Sequence, residues 1–338
     1  MNKRFLNQKN MKVLVTGATG FIGSHVADKL LAKGYEVRCM VRKTSNLRWV
    51  EGKDYELITA SLSDTDSLEK AVEGVEYIYH VAGNTSAKDL DGYMQGNCQG
   101  TKNLVEAALK KTNNLQRFLY VSSQTAAGPA ISLNEPTTED MPMRPITNYG
   151  RSKKASEKML ASYSMTLPFT IVRPPAVYGP RDTEIFSIFK MIKLGLAAYI
   201  GFDEKYISLV HSEDLSRGII EAAESKRTLG KTYFISSEEF YTWGQIYKLM
   251  KKAFGKKNIL SLKLPHSLVL TAGRISEFFG KFASKPPVFN YEKGIDFIQS
   301  YWICSTNSAH KDFNYSQQVS IEEGIKETIE WYRKMKWL

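Results

Sequence analysis

The sequence predicts an α/β protein: a doubly wound parallel sheet carrying a smaller, partly discontinuous α/β lobe. Three observations lead there. Short apolar runs alternate with helical segments from Met11 to about Tyr178. The first of these runs ends in a glycine-rich turn that opens a helix. Beyond Tyr178 the alternation fades into Gly179-Pro180-Arg181-Asp182 and a mixture of short helices and aromatic-rich loops.

Taken in order, the expected strands are 12–16, 36–41, 55–58, 75–81, 117–122 and 169–173. The expected helices between them are 20–33, 66–72, 97–111 and 148–165, and a final helix covers 321–336. Right-handed crossovers follow for parallel strands joined in this way. Residues 1–10 are expected to form a flexible extension and 11–178 the nucleotide-binding domain. Residues 179–338 are expected to form mainly the substrate lobe, with segments around 206–232 returning to the first domain. The 264–279 stretch is apolar but broken by Pro265, His266, Arg274 and Glu277, which suits a buried or partner-packing helix and is too short to span a bilayer.

Composition excludes several classes. The chain has 338 residues, 43% of them hydrophobic and 24% charged, a globular balance. Cys39, Cys98 and Cys304 have neither disulfide nor metal-ligand spacing, so a cytoplasmic protein with reduced thiols and no metal is expected. Net charge is +11, but in short pairs such as Lys110-Lys111 and Lys251-Lys252, so neither nucleic acid nor stable membrane insertion is expected. The basic first ten residues lack the apolar run of a secretory signal.

The turn after the first strand reads Thr16-Gly17-Ala18-Thr19-Gly20-Phe21-Ile22-Gly23. Gly17 permits a tight turn, Gly20 lets backbone amides approach a pyrophosphate, and Gly23 lets the helix lie close to the sheet. The unpaired amides and the helix dipole favour an anion there. This is the Rossmann-type fingerprint in its proper context. The second strand ends in Arg42-Lys43, where an NAD site usually carries an acid for the ribose hydroxyls. A guanidinium there suits a 2′-phosphate, so NADP is expected, with NAD the alternative.

Ser122-Ser123 closes the fifth strand, at the sheet edge where such folds bind ligands. Tyr149 and Lys153 stand four apart on a helix and share one face. The ammonium is expected to lower the phenol pKa, making Tyr149 a general acid/base, with Ser123 hydrogen-bonding the substrate oxygen.

Together, residues 16–23, His80-Val81-Ala82-Gly83, Asn97 to Leu104, 122–128, 149–153 and 173–180 resemble the extended short-chain dehydrogenase/reductase family, also described as NAD-dependent epimerases and dehydratases. The resemblance covers nearly all of the chain from Met11. It implies a nicotinamide cofactor, a hydride moved to or from a carbon bearing oxygen, and Ser123, Tyr149 and Lys153 as the catalytic group. It places Gly17, Thr19, Gly20, Phe21, Ile22, Gly23, Arg42, Lys43, Ala82, Gly83 and Asn97 on the cofactor. It also puts Arg173 and Pro174 near the nicotinamide end and gives Lys153 a bond to the nicotinamide ribose. One departure concerns the adenine: Ser61-Leu62 stands where the family usually has Asp-Leu, so the contact falls to Ser61 or is weaker. Relatives often form homodimers by pairing two helices from each subunit, here through Leu104, Ala107 and Ala108 beside Leu160 and Tyr163.

Three readings of activity follow. One is a reductase or dehydrogenase of a small apolar or amphipathic carbonyl or alcohol, similar to dihydroflavonol reductases and 3β-hydroxysteroid dehydrogenases. Another is a nucleotide-sugar epimerase or dehydratase. The third is a silent NADP sensor, which the complete Ser-Tyr-Lys set disfavours. Gln124-Thr125 after Ser123 lacks the Asp-Glu pair of dehydratases. Ile207 stands where sugar-nucleotide members often have a diphosphate-clamping Arg, with Lys205 as a substitute. Ile185, Phe186, Ile188 and Phe189, with Leu194, Leu196 and Tyr199, suit an apolar or amphipathic substrate. His80 and His211 are expected to be structural.

Overall fold

The computed structural model describes residues 11–280 and 289–338, so the expected extension 1–10 lies outside the described residues. Its centre is a seven-stranded parallel sheet in the order β11-β6-β5-β4-β1-β2-β3. The strands are β1 (Lys12–Thr16), β2 (Glu36–Val41), β3 (Glu56–Thr59), β4 (Tyr77–His80), β5 (Arg117–Val121), β6 (Phe169–Arg173) and β11 (Thr232–Phe234). Strand order reverses between β1 and β4, and the crevice at such a switch point is where doubly wound sheets bind nucleotides.

Each face of the sheet has its own core. On one side α1 (Phe21–Ala32) and α6 (Ser212–Glu224) cover Val13, Val15, Tyr79 and Leu119. On the other, α2 (Thr65–Val72), α3 (Gly100–Lys111) and α4 (Asn148–Ser162) cover Leu14, Ile78, Phe118 and Tyr120. Strands buried on both faces read as continuous apolar runs, which is why β1, β2 and β6 match their expected limits. The third helix differs. A π-helical turn, Met94–Gln99, precedes α3, so helical structure begins ahead of Asn97.

The dimer face read from the sequence needs correction. Leu104, Ala108 and Leu160 are fully buried inside this chain's own core, and Ala107 nearly so. These four side chains serve the sheet, while Tyr163, just beyond the end of α4, is half-buried.

The remaining elements form the smaller lobe. Here β7 (Ala176–Tyr178) pairs with β10 (Leu209–His211), and β9 (Tyr206–Ile207) lies between β12 (Tyr241–Thr242) and β14 (Tyr301–Trp302). A parallel ribbon joins β8 (Leu196–Ile200) to β13 (Leu260–Leu264). Around them lie α5 (Phe186–Lys193), α7 (Trp243–Ala253), α8 (His266–Gly280), α9 (Tyr291–Ile298), α10 (Asn307–Phe313) and α11 (Ile321–Lys334). Tyr178, Phe189, Ile246, Ile325 and Tyr332 make its core. Between the lobe elements, α6 packs on α1's face of the sheet, and β11 joins the sheet edge beside β6.

Candidate active site

The turn between β1 and α1 is shaped by what its glycines leave out. Gly17 has φ +70°, and a Cβ on it would stand 2.8 Å from the Ala82 amide nitrogen. A Cβ on Gly23 would stand 2.1 Å from the Gly17 carbonyl oxygen. The helix therefore begins hard against the turn. Its bonding starts with Ser24 N–H to Gly20 O at 3.1 Å, which leaves the amides of Phe21, Ile22 and Gly23 unused by the helix. Such a cradle of free amides at a positive helix end fits the pyrophosphate of a dinucleotide. Thr19 sits half-buried in the same turn. Arg42 and Lys43 follow β2 beside it, exposed and without an ion pair among the described residues.

A directed chain of hydrogen bonds fixes the other wall. Thr101 donates to Asn97 O (2.5 Å), so its oxygen accepts from His80 Nε2 (2.9 Å). His80 Nδ1 then accepts from Thr16 Oγ1 (2.7 Å), which itself accepts the Ala82 N–H (3.1 Å). Burial, with Lys153 nearby, pushes the His80 pKa down to about 3, which keeps the imidazole neutral and able to play both parts. Asn97 extends the wall: it exchanges bonds with the Asn84 backbone and donates to Ser152 Oγ at 2.9 Å. Gly83 is held so close to Asn97 and Lys153 that a Cβ would meet Lys153 Nζ at 3.3 Å. Ser61 pairs with Ser63 (2.9 Å), and Leu62 packs against Gly100.

The Ser-Tyr-Lys group comes together at the far end. Thr147 caps α4 by accepting the Gly150 N–H, and Tyr149 and Lys153 follow on its first turns. Lys153 is buried, donates to Val121 O at 2.8 Å, and lies 4.7 Å from the Tyr120 ring centre and 6.0 Å from that of Tyr149. Ser123 accepts from the Thr125 amide (3.2 Å) and hydroxyl (2.9 Å), which leaves its own proton for another acceptor. Behind them Arg173 is spent on Glu157 (2.6 Å), a fully internal ion pair that also takes the Ser122 hydroxyl. The Arg173 guanidinium is thus committed to Glu157, while Pro174 joins the wall through its carbonyl, which accepts the Gln124 N–H.

The electrostatics correct one expectation. The Tyr149 phenol is held above its ordinary value, not below it. Burial pushes that phenol well up, Glu184 raises it further, contact with Ser123 pulls it back in part, and Tyr93 and Asp296 add to the rise. Lys153 is itself brought down to about 8 by burial, against the pull of Glu157. Its ammonium points to a carbonyl, so the spacing of four places the pair on one face without joining them.

Sequence reasoning missed the acidic surroundings of Tyr149. Glu292, on the first turn of α9, accepts the Asn148 N–H at 2.8 Å. Asp296 lies one turn further along, raised to about 7 by burial and by Glu292. Glu184 reaches the same place beside Lys293 (3.3 Å). No local signal ties residues so distant in sequence to Tyr149. By contrast Glu157, one helical turn beyond Lys153, carried a readable spacing. Lys205, the candidate diphosphate clamp, is buried and bound to Ile298 O (2.7 Å) and Asp203 (3.1 Å). His211 is buried against Tyr178, and burial holds its pKa down at about 4.

Residues 13–245 match the model of the NAD dependent epimerase/dehydratase family. The chain is 27% identical over 337 residues to a ceramide reductase of Caulobacter vibrioides, covering 96% of both. It is 30% identical over 290 residues to sterol demethylase protein B of Methylococcus capsulatus, covering 83% of this chain and 86% of that one. Among solved structures, a UDP-glucose 4-epimerase of Thermotoga maritima with UDP-glucose superposes with a TM-score of 0.77 at 25% identity, over 96% of this chain and 100% of that one.

Proposed function

The chain belongs to the NAD-dependent epimerase/dehydratase family, and within it we propose an NADP-dependent oxidoreductase that reduces the carbonyl of a small apolar or amphipathic substrate. The observation that carries this reading is the carboxyl lining around Tyr149. Glu184, Glu292 and Asp296 line this end with carboxyls, Glu184 beside Lys293, and supply no free cation for the diphosphate of a sugar nucleotide, while Lys205 is already engaged. A neutral substrate needs no such cation. Relatives named as a ceramide reductase and a sterol demethylase protein support an apolar substrate.

The roles follow from the side chains. Gly17, Gly20 and the amides of 21–23 would hold the pyrophosphate, and Arg42 with Lys43 the 2′-phosphate. When bound, the nicotinamide dinucleotide supplies the hydride. Tyr149, its phenol raised by burial, holds its proton near neutrality and gives it to the carbonyl oxygen as an acid. Ser123, its acceptor side filled by Thr125, donates to the same oxygen and orients it. Lys153 supplies positive charge beneath Tyr149 once the phenolate forms.

The test is a panel of apolar ketones and aldehydes offered with NADPH, beside UDP-sugars. Net loss of NADPH absorbance with a carbonyl substrate supports the assignment. Interconversion of a UDP-sugar with no net cofactor consumption overturns it.

A further inference from the structure

The smaller lobe carries an exposed apolar face with a basic rim that no step above uses. On the ribbon, Ala197 is buried and Tyr199 packs edge-on against Tyr247, so Leu196, Ala198 and Ile200 point the other way. Register places Leu260, Leu262 and Leu264 beside them on that side, with Leu260 60% and Leu262 44% exposed. The chain then enters α8, which buries Val269 and Gly273 against the start of α9. A flanking side presents Leu268, Ala272, Ile275 and Phe279, a stripe at i, i+4, i+7 and i+11, with Leu268 and Ile275 each more than half exposed. Leu194 and Phe202, at either end of β8, are more exposed still. Exposed apolar side chains gathered on successive elements in this way mark a binding face.

Charge identifies the occupant. Residues 240–276 contain no Asp or Glu but seven Lys and Arg, and residues 185–202 add Lys190 and Lys193 without an acid. Lys193 and Lys257 each stand three residues before the paired Leu196 and Leu260, so they mark the same end of the ribbon. Lys193, Lys256 and Lys257 make no ion pair among the described residues, whereas Lys263, paired with Tyr199, belongs to the other side of the ribbon. A second copy docked face to face would set these cations against one another. An anionic lipid surface satisfies both the aliphatic side chains and the lysines.

We propose that the ribbon β8–β13 and the outer stripe of α8 form a peripheral docking face for an anionic phospholipid bilayer. No helix among the described residues is long and apolar enough to cross a membrane, so the contact is interfacial. The face also adjoins the active site: α8 packs on α9, and Glu292 of α9 holds the amide beside Tyr149. The docking needs no turnover, so its test stands apart from the reductase assignment.

The full chain is sedimented with phosphatidylcholine vesicles with and without phosphatidylglycerol. Binding should require the anionic lipid and weaken in salt. Leu262→Glu with Ile275→Glu, and separately Lys256→Glu with Lys257→Glu, should each lower the bound fraction roughly tenfold or more. NADPH affinity should be unchanged, which shows that the variants are folded. Binding indifferent to both double substitutions would overturn the proposal. So would a lipid-free dimer by light scattering that the Leu262→Glu, Ile275→Glu variant abolishes.

Discussion

The two ends of the cleft are built from different materials. At the β1–α1 turn the candidate groups are backbone amides, and the shape is set by the side chains missing from Gly17 and Gly23. At the Tyr149 end the candidate groups are side chains, set among buried charge. The first end depends on shape, set by a few local residues. The second depends on field, set by residues scattered over more than a hundred positions. Changes at one end should therefore move cofactor affinity, and changes at the other should move turnover.

The largest effect tests the reactive end. Tyr149→Phe should lower turnover by roughly 10²–10⁴-fold, the range for losing a general acid, while NADPH binding by fluorescence titration stays near the parent value. A matching loss of cofactor affinity would break the division. Next, Gly23→Ala forces a methyl to within 2.1 Å of Gly17 O, and the turn must yield. Strain of about 1–3 kcal/mol predicts NADPH binding weakened by roughly 10–100-fold, read in the same titration. Arg42→Ala sharpens the point at the edge of that cradle. It should shrink the NADPH-over-NADH preference by roughly tenfold and make it less sensitive to salt.

Lys153 gives a smaller, pH-dependent signature. Its folded pKa of about 8 lies below the ordinary 10.5, so between those values the unfolded chain holds the extra proton. Raising pH through that window therefore favours the fold. In Lys153→Met this contribution is gone, and thermal melts of parent and variant should converge or cross as pH rises from 8 to 10.5 in favour of the parent. Parallel curves would remove the buried ammonium from the account.

The same contrast explains what was legible in the sequence. The phosphate turn could be read because glycine positions and the strand-to-helix switch are local. The Tyr149–Lys153 spacing could be read for the same reason, but its electrostatics could not, because burial is a property of the whole fold. Asp296 and Glu292 reach Tyr149 only through the path of α9, which nothing near Tyr149 announces. Leu104, Ala108 and Leu160 misled because an apolar helix stripe looks alike whether it faces a sheet or a partner. The exposed ribbon β8–β13 was hidden too, since paired leucines ordinarily signal a core.

The central claim is that hydride leaves the cofactor for good in a reduced product. Single-turnover reduction of an apolar ketone with NADPH deuterated at the transferred position tests it most directly. The account predicts deuterium on the carbinol carbon of a released alcohol, with NADP⁺ formed in equal amount and the reaction slowed in Tyr149→Phe. Deuterium kept within tightly bound cofactor, or passed to and from a UDP-sugar with no net oxidation, would contradict it.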